Sequence, residues 1–250
     1  MIRGAADVTP ANSKILSLVK TRPGTTPEAF REYWRGPFLR SILELNQVKK
    51  GLVKVTHNHS LPLVIRADFP VSPWAGFSEM WFDSREDGEG FLNHPGLPAV
   101  LASHSAVVTE VVQLHCTELP IWDLGTENPP VKMMTFFHPS RTMTRAQSQD
   151  YWTNKHVPIG SALINPKRFC PRYVQNHTLV DYHNAKPEYD FAGTPELWFY
   201  SKEDALKLFS ETDKLEALRI DEAKFSDRAS TVALMTDDQP VYWVGRQRRI

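Results

Sequence analysis

Hydrophobic and polar positions follow one order of elements twice along the chain. In the first half, four short runs rich in apolar and β-branched residues predict strands at residues 14–20, 51–59, 79–82 and 107–115. Thr26 followed by Pro27 is typical of a cap residue and the first position of a helix, which we expect to extend to about Asn46. Ser84 precedes a second helical segment with acidic residues in its first turn.

The second half repeats this pattern. Its strands are predicted at residues 131–138, 172–179, 196–200 and 230–235, and its helices begin near Thr144 and after Ser201. Each half therefore reads βαββαβ, the order of a ferredoxin-like unit in the α+β class.

Identical residues at a nearly constant offset show that the halves are copies. Tyr33-Trp34 aligns with Tyr151-Trp152, and Asn58-His59 aligns with Asn176-His177, both 118 positions apart. Glu79-Met80-Trp81-Phe82 aligns with Glu196-Leu197-Trp198-Phe199 after one deletion. A period this long indicates a duplicated domain. We assign the first repeat to residues 12–118, a proline-containing linker to 119–130 and the second repeat to 131–240.

Two such sheets, each with helices on one face, have a free face that must be buried. Packing the free faces together inside one chain produces a pseudo-dimeric α+β barrel. We therefore expect a pocket in the space between the sheets.

Composition narrows the function classes. The chain has 250 residues with 29 basic and 29 acidic side chains, so a nucleic-acid partner is not indicated. No apolar stretch is long enough to span a membrane, and the N-terminus lacks the apolar core of a signal peptide. Cys116 and Cys170 form no CxxC pair. We expect a soluble, cytoplasmic protein whose partner is a small-molecule substrate. The sequence does not decide between a monomer and a homodimer.

Side-chain alternation in the second repeat suggests where a site lies. Leu197 and Phe199 should pack on the helices, which turns Glu196 and Trp198 towards the space between the sheets. The same reasoning turns His177 inward.

In the preceding helix, Trp152 and His156 are four residues apart and share one stripe. His156, His177 and Glu196 are thus expected to meet, and a carboxylate beside imidazoles suits general acid–base chemistry. The alternatives are a structural histidine, a capping glutamate and tryptophans that belong to the core.

The first repeat differs at this helix. It keeps His59 and Glu79, but Phe38 stands in the position of His156 and Arg40 in that of Pro158. The chemistry is therefore expected in the second repeat.

These blocks resemble the EthD domain family of the dimeric α+β barrel superfamily. The resemblance rests on the turn Thr21-Arg22-Pro23-Gly24, the helix motif with His156-Val157-Pro158, the strands ending in Gln175-Asn176-His177 and Glu196-Leu197-Trp198-Phe199, and Phe225-Ser226-Asp227-Arg228. It covers nearly the whole chain, twice. It implies the barrel fold, and relatives that include cofactor-independent lyases, cyclases, isomerases, cofactor-free monooxygenases and, more distantly, haem enzymes.

The leading functional hypothesis is a lyase without a cofactor, either a dehydratase, a decarboxylase or a C–C cleaving enzyme, acting on a small aromatic or carbonyl compound. His177 would be the general acid or base, His156 its proton-transfer partner, Glu196 an orienting group, and Asp227 the group that fixes an imidazole tautomer. Substrate-binding residues would be Tyr151, Trp152, Tyr173, Asn176, Trp198 and His59.

Two alternatives remain, an oxygenase that is cofactor-free or haem-dependent and a binding protein without activity. No metal site is predicted, because His57 and His59 share a strand face without an evident third ligand.

Overall fold

The computed structural model describes residues 13–45, 51–62, 72–126, 129–210, 212–237 and 239–243. The strands within these ranges are β1 (Ser13–Thr21), β2 (Leu52–His59), β3 (Gly76–Phe82), β4 (Val108–Asp123), β5 (Val131–Pro139), β6 (Arg172–Thr178), β7 (Gly193–Phe199), β8 (Ser226–Thr236) and β9 (Gln239–Trp243). The α-helices are α1 (Pro27–Tyr33), α2 (Leu39–Glu44), α3 (Arg85–Leu92), α4 (Leu97–Ser103), α5 (Arg145–Tyr151), α6 (Val157–Ile164), α7 (Lys202–Leu208) and α8 (Thr212–Phe225).

The predicted cap residues begin the helices for a simple reason, since a side-chain oxygen takes up a backbone N–H that has no partner inside the helix. The Thr26 hydroxyl accepts from the Ala29 N–H at 3.2 Å. Thr144 and Gln147 form a reciprocal capping box. Ser84 and Ser201 cap α3 and α7 in the same way.

A π-helical turn interrupts the long helix of each repeat at equivalent positions. It joins α1 to α2 at Trp34–Phe38 and α5 to α6 at Trp152–His156. Such turns widen the helix and are frequent at functional sites. In the second repeat the turn ends on His156, one of the predicted site residues.

The strands form one sheet in the order β8-β5-β7-β6-β4-β1-β3-β2-β9. The long strand β4 pairs with β1 of its own repeat and then with β6 of the other. β9, which follows β8 in the chain, pairs with β2, and Ser60 forms a bridge to Thr236. The sheet therefore closes on itself, and the predicted pseudo-dimeric α+β barrel is confirmed.

Beyond shifts of a few residues at strand ends, the observed elements differ from the prediction in three ways. Residues 119–123, assigned to the linker, continue β4 and pair with β6. The helix α8 was not predicted, and it lies immediately before β8. Strand β9 was not predicted either. The predicted helix end at Asn46 and the predicted repeat start at residue 12 lie outside the described residues.

Alternate residues of each strand belong to two different layers. Outside the barrel, Ile15, Phe30 and Trp34 belong to the core between sheet and helices in the first repeat. Inside it, Leu16, Leu18 and side chains of both repeats form a separate apolar cluster, whose other members include Phe77, Met134, Phe136 and Leu234. Cys116 and Cys170 are buried free thiols. Among the described helices, none is long and apolar enough to cross a membrane.

Candidate functional site

The space inside the barrel, where the pocket was predicted, holds a buried network of charged side chains. We call Lys14, Lys132, Glu79, Glu118 and Glu196 the Lys–Glu network. The Lys14 Nζ lies 2.7 Å from Glu79, 2.7 Å from Glu118 and 2.5 Å from Glu196. The Lys132 Nζ lies 2.5 Å from Glu79 and 3.4 Å from Glu196. Ions this deeply buried need several partners each, and the two repeats supply them to one another.

Glu196 is the carboxyl group of this network whose pKa is raised. Burial raises its pKa, the nearby Glu79 carboxylate raises it further, and the result is about 7. Burial alone would also raise the pKa of Glu79, but attraction by Lys132 and Lys14 outweighs it and lowers that pKa well below its usual range. With Glu196 protonated, two ammonium groups face two carboxylates.

Three of the predicted site residues belong to this interior. The inward orientation predicted for Glu196 and Trp198 is confirmed. The Asn176 amide donates to the Glu196 Oε1 at 2.6 Å, and the Lys132 Nζ lies 4.8 Å from the Trp198 ring centre. These contacts place the three side chains in a filled barrel interior.

The inward orientation predicted for His177 is wrong. Strand pairing sets Val174 opposite Glu196 and Tyr173 opposite Leu197, so Tyr173 and His177 face the helices. The ring of His177 stacks on Trp152, with centroids 5.1 Å apart and 17° between the planes. His177 and Glu196 are therefore on opposite faces of the sheet and do not meet.

His177 is held by neighbouring polar groups on that outer face. Its Nε2–H donates to the Gln175 Oε1 at 2.9 Å, and Thr153 lies 3.4 Å from the same nitrogen. Burial lowers its pKa to about 4, so the ring is neutral at pH 7. In the first repeat, His59 occupies the equivalent position on the outer face, beside Trp34.

A large cavity lies on this outer side, between the sheet of the second repeat and the helices α6 and α8. Its cavity volume is about 110 Å³, and the space reaches about 810 Å³ when the open mouth to solvent is included. Aromatic rings make up much of its wall, and these are Trp122, Phe137, Trp152, Tyr173, Phe209 and Phe225. Two predicted substrate-binding residues, Trp152 and Tyr173, thus line a mostly apolar cavity that opens to solvent.

His156 is the imidazole that borders the cavity, and a carboxylate from α8 holds it. The His156 Nδ1–H donates to the Asp221 Oδ2 at 2.8 Å. The Tyr151 hydroxyl donates to the other oxygen of Asp221 at 2.7 Å. This arrangement fixes the tautomer and leaves the His156 Nε2 as a proton acceptor.

The Asp221 side chain is only 4% exposed. Burial by itself would raise its pKa, but hydrogen bonds from His156 and Tyr151 outweigh that effect and lower the pKa to about 2. The carboxylate is therefore ionised throughout the neutral range. It can stabilise positive charge that develops on the imidazole when His156 takes a proton.

Asp227 was predicted to fix the tautomer of an imidazole. In the structure, the carboxylate that accepts a hydrogen bond from the His156 imidazole is Asp221. The Asp227 Oδ1 accepts from the Ala229 backbone N–H at 3.1 Å in a local turn. Asp221 was not predicted from the sequence, because the helix that carries it, α8, was not predicted. The repeat offers one indication that this position matters. At an offset of 117, Asp221 aligns with His104 of the first repeat, so the two repeats differ here as they do at His156 and Phe38.

The first repeat has lost both members of this pair. Phe38 replaces His156, and His104 replaces Asp221, with ring centroids 4.8 Å apart. The Tyr33 hydroxyl and the His104 Nδ1 share a hydrogen bond of 2.5 Å, and Ser41 contacts the His104 Nε2 at 2.6 Å. The imidazole and the carboxylate that holds it therefore occur together in the second repeat, and the first repeat carries other residues at both positions.

The cavity wall also bears on cofactors. Apart from His156, its ionisable groups among the described residues are Tyr173 and Glu222, and neither Lys nor Arg lines it. A haem brings two carboxylates that need cationic or well-solvated surroundings, so this lining does not fit one. In the described part of the chain, no three His, Cys, Asp or Glu side chains are grouped to hold a metal ion.

The fold and the cavity define a tandem α+β barrel protein with a site on the outer face of one repeat. The EthD domain family matches residues 22–109 and 140–229, and the chain belongs to that family. None of the curated proteins matches the sequence.

Among solved structures, an anthrone oxidase-like protein is similar over 96% of each chain, with a TM-score of 0.62 and 14% identity. A protein named as a monooxygenase from Fusobacterium nucleatum is similar over 94% of each chain, with a TM-score of 0.52 and 4% identity. A mutant chlorite dismutase from Candidatus Nitrospira defluvii, in complex with cyanide, covers 93% of this chain and 92% of its own, with a TM-score of 0.52 and 11% identity. At these identities the likeness shows the fold alone.

Proposed function

We propose that the second repeat is a cofactor-free oxygenase that acts on an aromatic carbon acid. The substrate class is a planar aromatic ketone with an acidic CH₂ group, of which anthrone is the simplest test compound. The observation that carries the proposal is the His156–Asp221 pair at the wall of an aromatic cavity.

The first step is removal of a proton from carbon. The His156 Nε2 accepts the C–H proton, and Asp221 stabilises the imidazolium that results. Aromatic walls such as Trp152 and Phe137 exclude water, which strengthens this electrostatic stabilisation. The electrons that reduce oxygen come from the substrate itself, because its carbanion is readily oxidised.

The second step is oxidation by O₂, the co-substrate. The CH₂ carbon loses four electrons and becomes a carbonyl carbon. One oxygen atom of O₂ remains on that carbon, and the other leaves as water with the two hydrogens removed from the substrate. Atoms and electrons balance without a cofactor, and an apolar cavity admits the apolar O₂ molecule.

Names of structural relatives favour an oxygenase over the lyase predicted from sequence. Two of the proteins with similar folds are named as an anthrone oxidase-like protein and as a monooxygenase. A lyase would use the same base for its first step, so the two hypotheses differ only in the fate of the carbanion after proton removal.

Oxygen consumption separates the candidates. Purified full-length protein is given anthrone in air-saturated buffer and, in parallel, under argon, while an electrode records O₂ and chromatography records the product. The proposal predicts one O₂ consumed for each anthraquinone formed, and ¹⁸O from ¹⁸O₂ in its new carbonyl group. Equal turnover of aromatic ketones under argon would instead support the lyase, and binding without turnover would support a ligand-binding protein.

A further inference from the structure

The first repeat contains a second pocket, which is separate from the cavity described above. It lies beside the start of α1 and has a volume of about 140 Å³. We call it the Arg31 pocket, and Thr21, Thr25, Thr26, Phe30, Arg31 and His59 contribute to its wall. His59 is only 2% exposed, and neither of its ring nitrogens has a hydrogen-bond partner among the described residues.

A second donor in the same wall also lacks a partner. The Arg31 Nε is buried and forms no hydrogen bond within the described part of the chain. The rest of the guanidinium is open to solvent, since the Arg31 side chain is 37% exposed, and the Asp237 Oδ2 lies 3.7 Å from one of its terminal nitrogens. Buried donors without partners are costly, and they cluster here around open space.

In the second repeat, the position equivalent to the Arg31 pocket is filled by a side chain. There Gln149 stands in the place of Arg31 and donates to the backbone carbonyls of Thr178 and Ala192, at 2.7 Å and 2.8 Å. Met143 stands in the place of Thr25. The equivalent space is thus occupied by a side chain whose hydrogen bonds are satisfied.

The equivalent histidines, His177 and His59, also differ in whether their ring nitrogens have hydrogen-bond partners. In the second repeat, Gln175 and Thr153 supply hydrogen-bond partners to His177. In the first repeat, those two positions carry His57 and Arg35. The change removes an acceptor and a hydroxyl and adds donors and positive charge, so it favours a negatively charged guest.

We propose that the Arg31 pocket binds a small oxyanion, a carboxylate or phosphate group, whose oxygens accept hydrogen bonds from the Arg31 Nε–H and from the His59 ring. The hydroxyl of Thr25 completes the polar wall. Arg35 and His57 add positive potential or donors from the neighbouring turn and strand. The acidic group nearby is Asp237, whose Oδ1 accepts from the His59 backbone N–H at 3.0 Å and whose Oδ2 lies 3.7 Å from Arg31. This site is independent of the His156 cavity, and its ligand need not be a substrate.

The charge state of His59 gives a direct readout. Burial lowers its pKa to about 4, so the ring is neutral at pH 7 and has one N–H donor. An anion in contact with the ring favours the protonated form, and its binding should therefore raise the pKa of His59.

The experiment is an NMR titration of the full-length protein with sodium acetate and, separately, inorganic phosphate at constant ionic strength. The His59 Cε1–H signal, assigned with the His59→Gln variant, should shift with a saturable curve for at least one of them. Arg31→Gln should weaken the apparent affinity by about tenfold or more, because a charged hydrogen bond is lost. Arg40→Gln removes the same charge from an exposed position of α2 and should leave the affinity unchanged.

Which anion saturates distinguishes a carboxylate ligand from a phosphate ligand. Failure of both to shift the signal overturns the proposal. It is equally overturned if Arg31→Gln and Arg40→Gln weaken the shift to the same extent, since that result indicates unspecific attraction by net charge. Should Arg31→Gln fail to fold, Arg31→Lys tests the same point, because lysine keeps the charge but lacks the Nε–H donor.

Discussion

Replacing Glu196 by Gln should make the protein more stable at alkaline pH relative to the wild type. The folded pKa of Glu196 is about 7, above its ordinary value of 4.5, so the folded protein binds this proton more tightly than the unfolded chain. That contribution to stability is fully present below pH 4.5 and is lost as the pH rises to about 7. The interval corresponds to about 3 kcal/mol, at about 1.4 kcal/mol for each pH unit.

The amide side chain introduced by Glu196→Gln keeps the geometry but does not titrate. Its oxygen can accept from Lys14 and Asn176 as the Glu196 Oε1 does. Its NH₂ group takes the place of Oε2 and can donate to Glu79, but it gives up the 3.4 Å contact with Lys132 at both pH values. The difference in unfolding free energy between variant and wild type should therefore shift by about 3 kcal/mol in favour of the variant between pH 4.5 and pH 8.

Urea unfolding followed by tryptophan fluorescence measures this difference at the two pH values. Glu118→Gln is the matched control with the opposite sign. Burial raises the pKa of Glu118, but attraction by Lys14 outweighs it and lowers that pKa, so its stabilising effect is present at high pH and lost on acidification. If Glu196→Gln changed stability by the same amount at both pH values, the assignment of the proton to Glu196 would be refuted.

Three further predictions concern the cavity. Asp221→Asn should lower turnover by about 10²- to 10⁴-fold with an unchanged circular dichroism spectrum, because the imidazole loses its orienting charge; a wild-type rate would speak against the pair. His177→Asn should leave kcat near the wild-type value, since its ring lies behind Trp152 and outside the cavity, and loss of turnover would restore the role predicted from sequence. Phe38→His in an inactive His156→Phe background should not recover activity in the same assay, because His104 stands where a carboxylate is needed.

The fold could be predicted from sequence because duplication gives the same information twice. Three matched blocks at a nearly constant offset defined the repeat, and cap residues such as Thr144 marked the helix starts. The barrel followed from the need to bury a second sheet face. The extension of β4 to Asp123 could not be predicted, because its last residues pair with the other repeat and their sequence includes Pro120.

The site was only partly predictable because alternation fixes which side chains share a face, not which face points inward. The prediction assumed that aliphatic residues face the helices. This is correct for Leu197 but wrong for Val174, because the barrel interior also contains aliphatic side chains. Pairing of Val174 with Glu196 decides the matter, and register is not visible in one sequence. Asp221 is 65 positions from His156 on a helix that shows little amphipathic pattern, so the sequence did not predict that the two residues meet.

In the proposed reaction, His156 removes a proton from a carbon acid in the cavity of the second repeat. Hydrogen exchange at the CH₂ group of anthrone, followed by NMR in D₂O under argon, tests this step without oxygen chemistry. The wild-type protein should accelerate the exchange above the buffer rate, and His156→Phe, which carries the first repeat's residue, should lower that acceleration by about 10²-fold or more. Equal acceleration by the two proteins would contradict the role of His156 as the base that removes the proton.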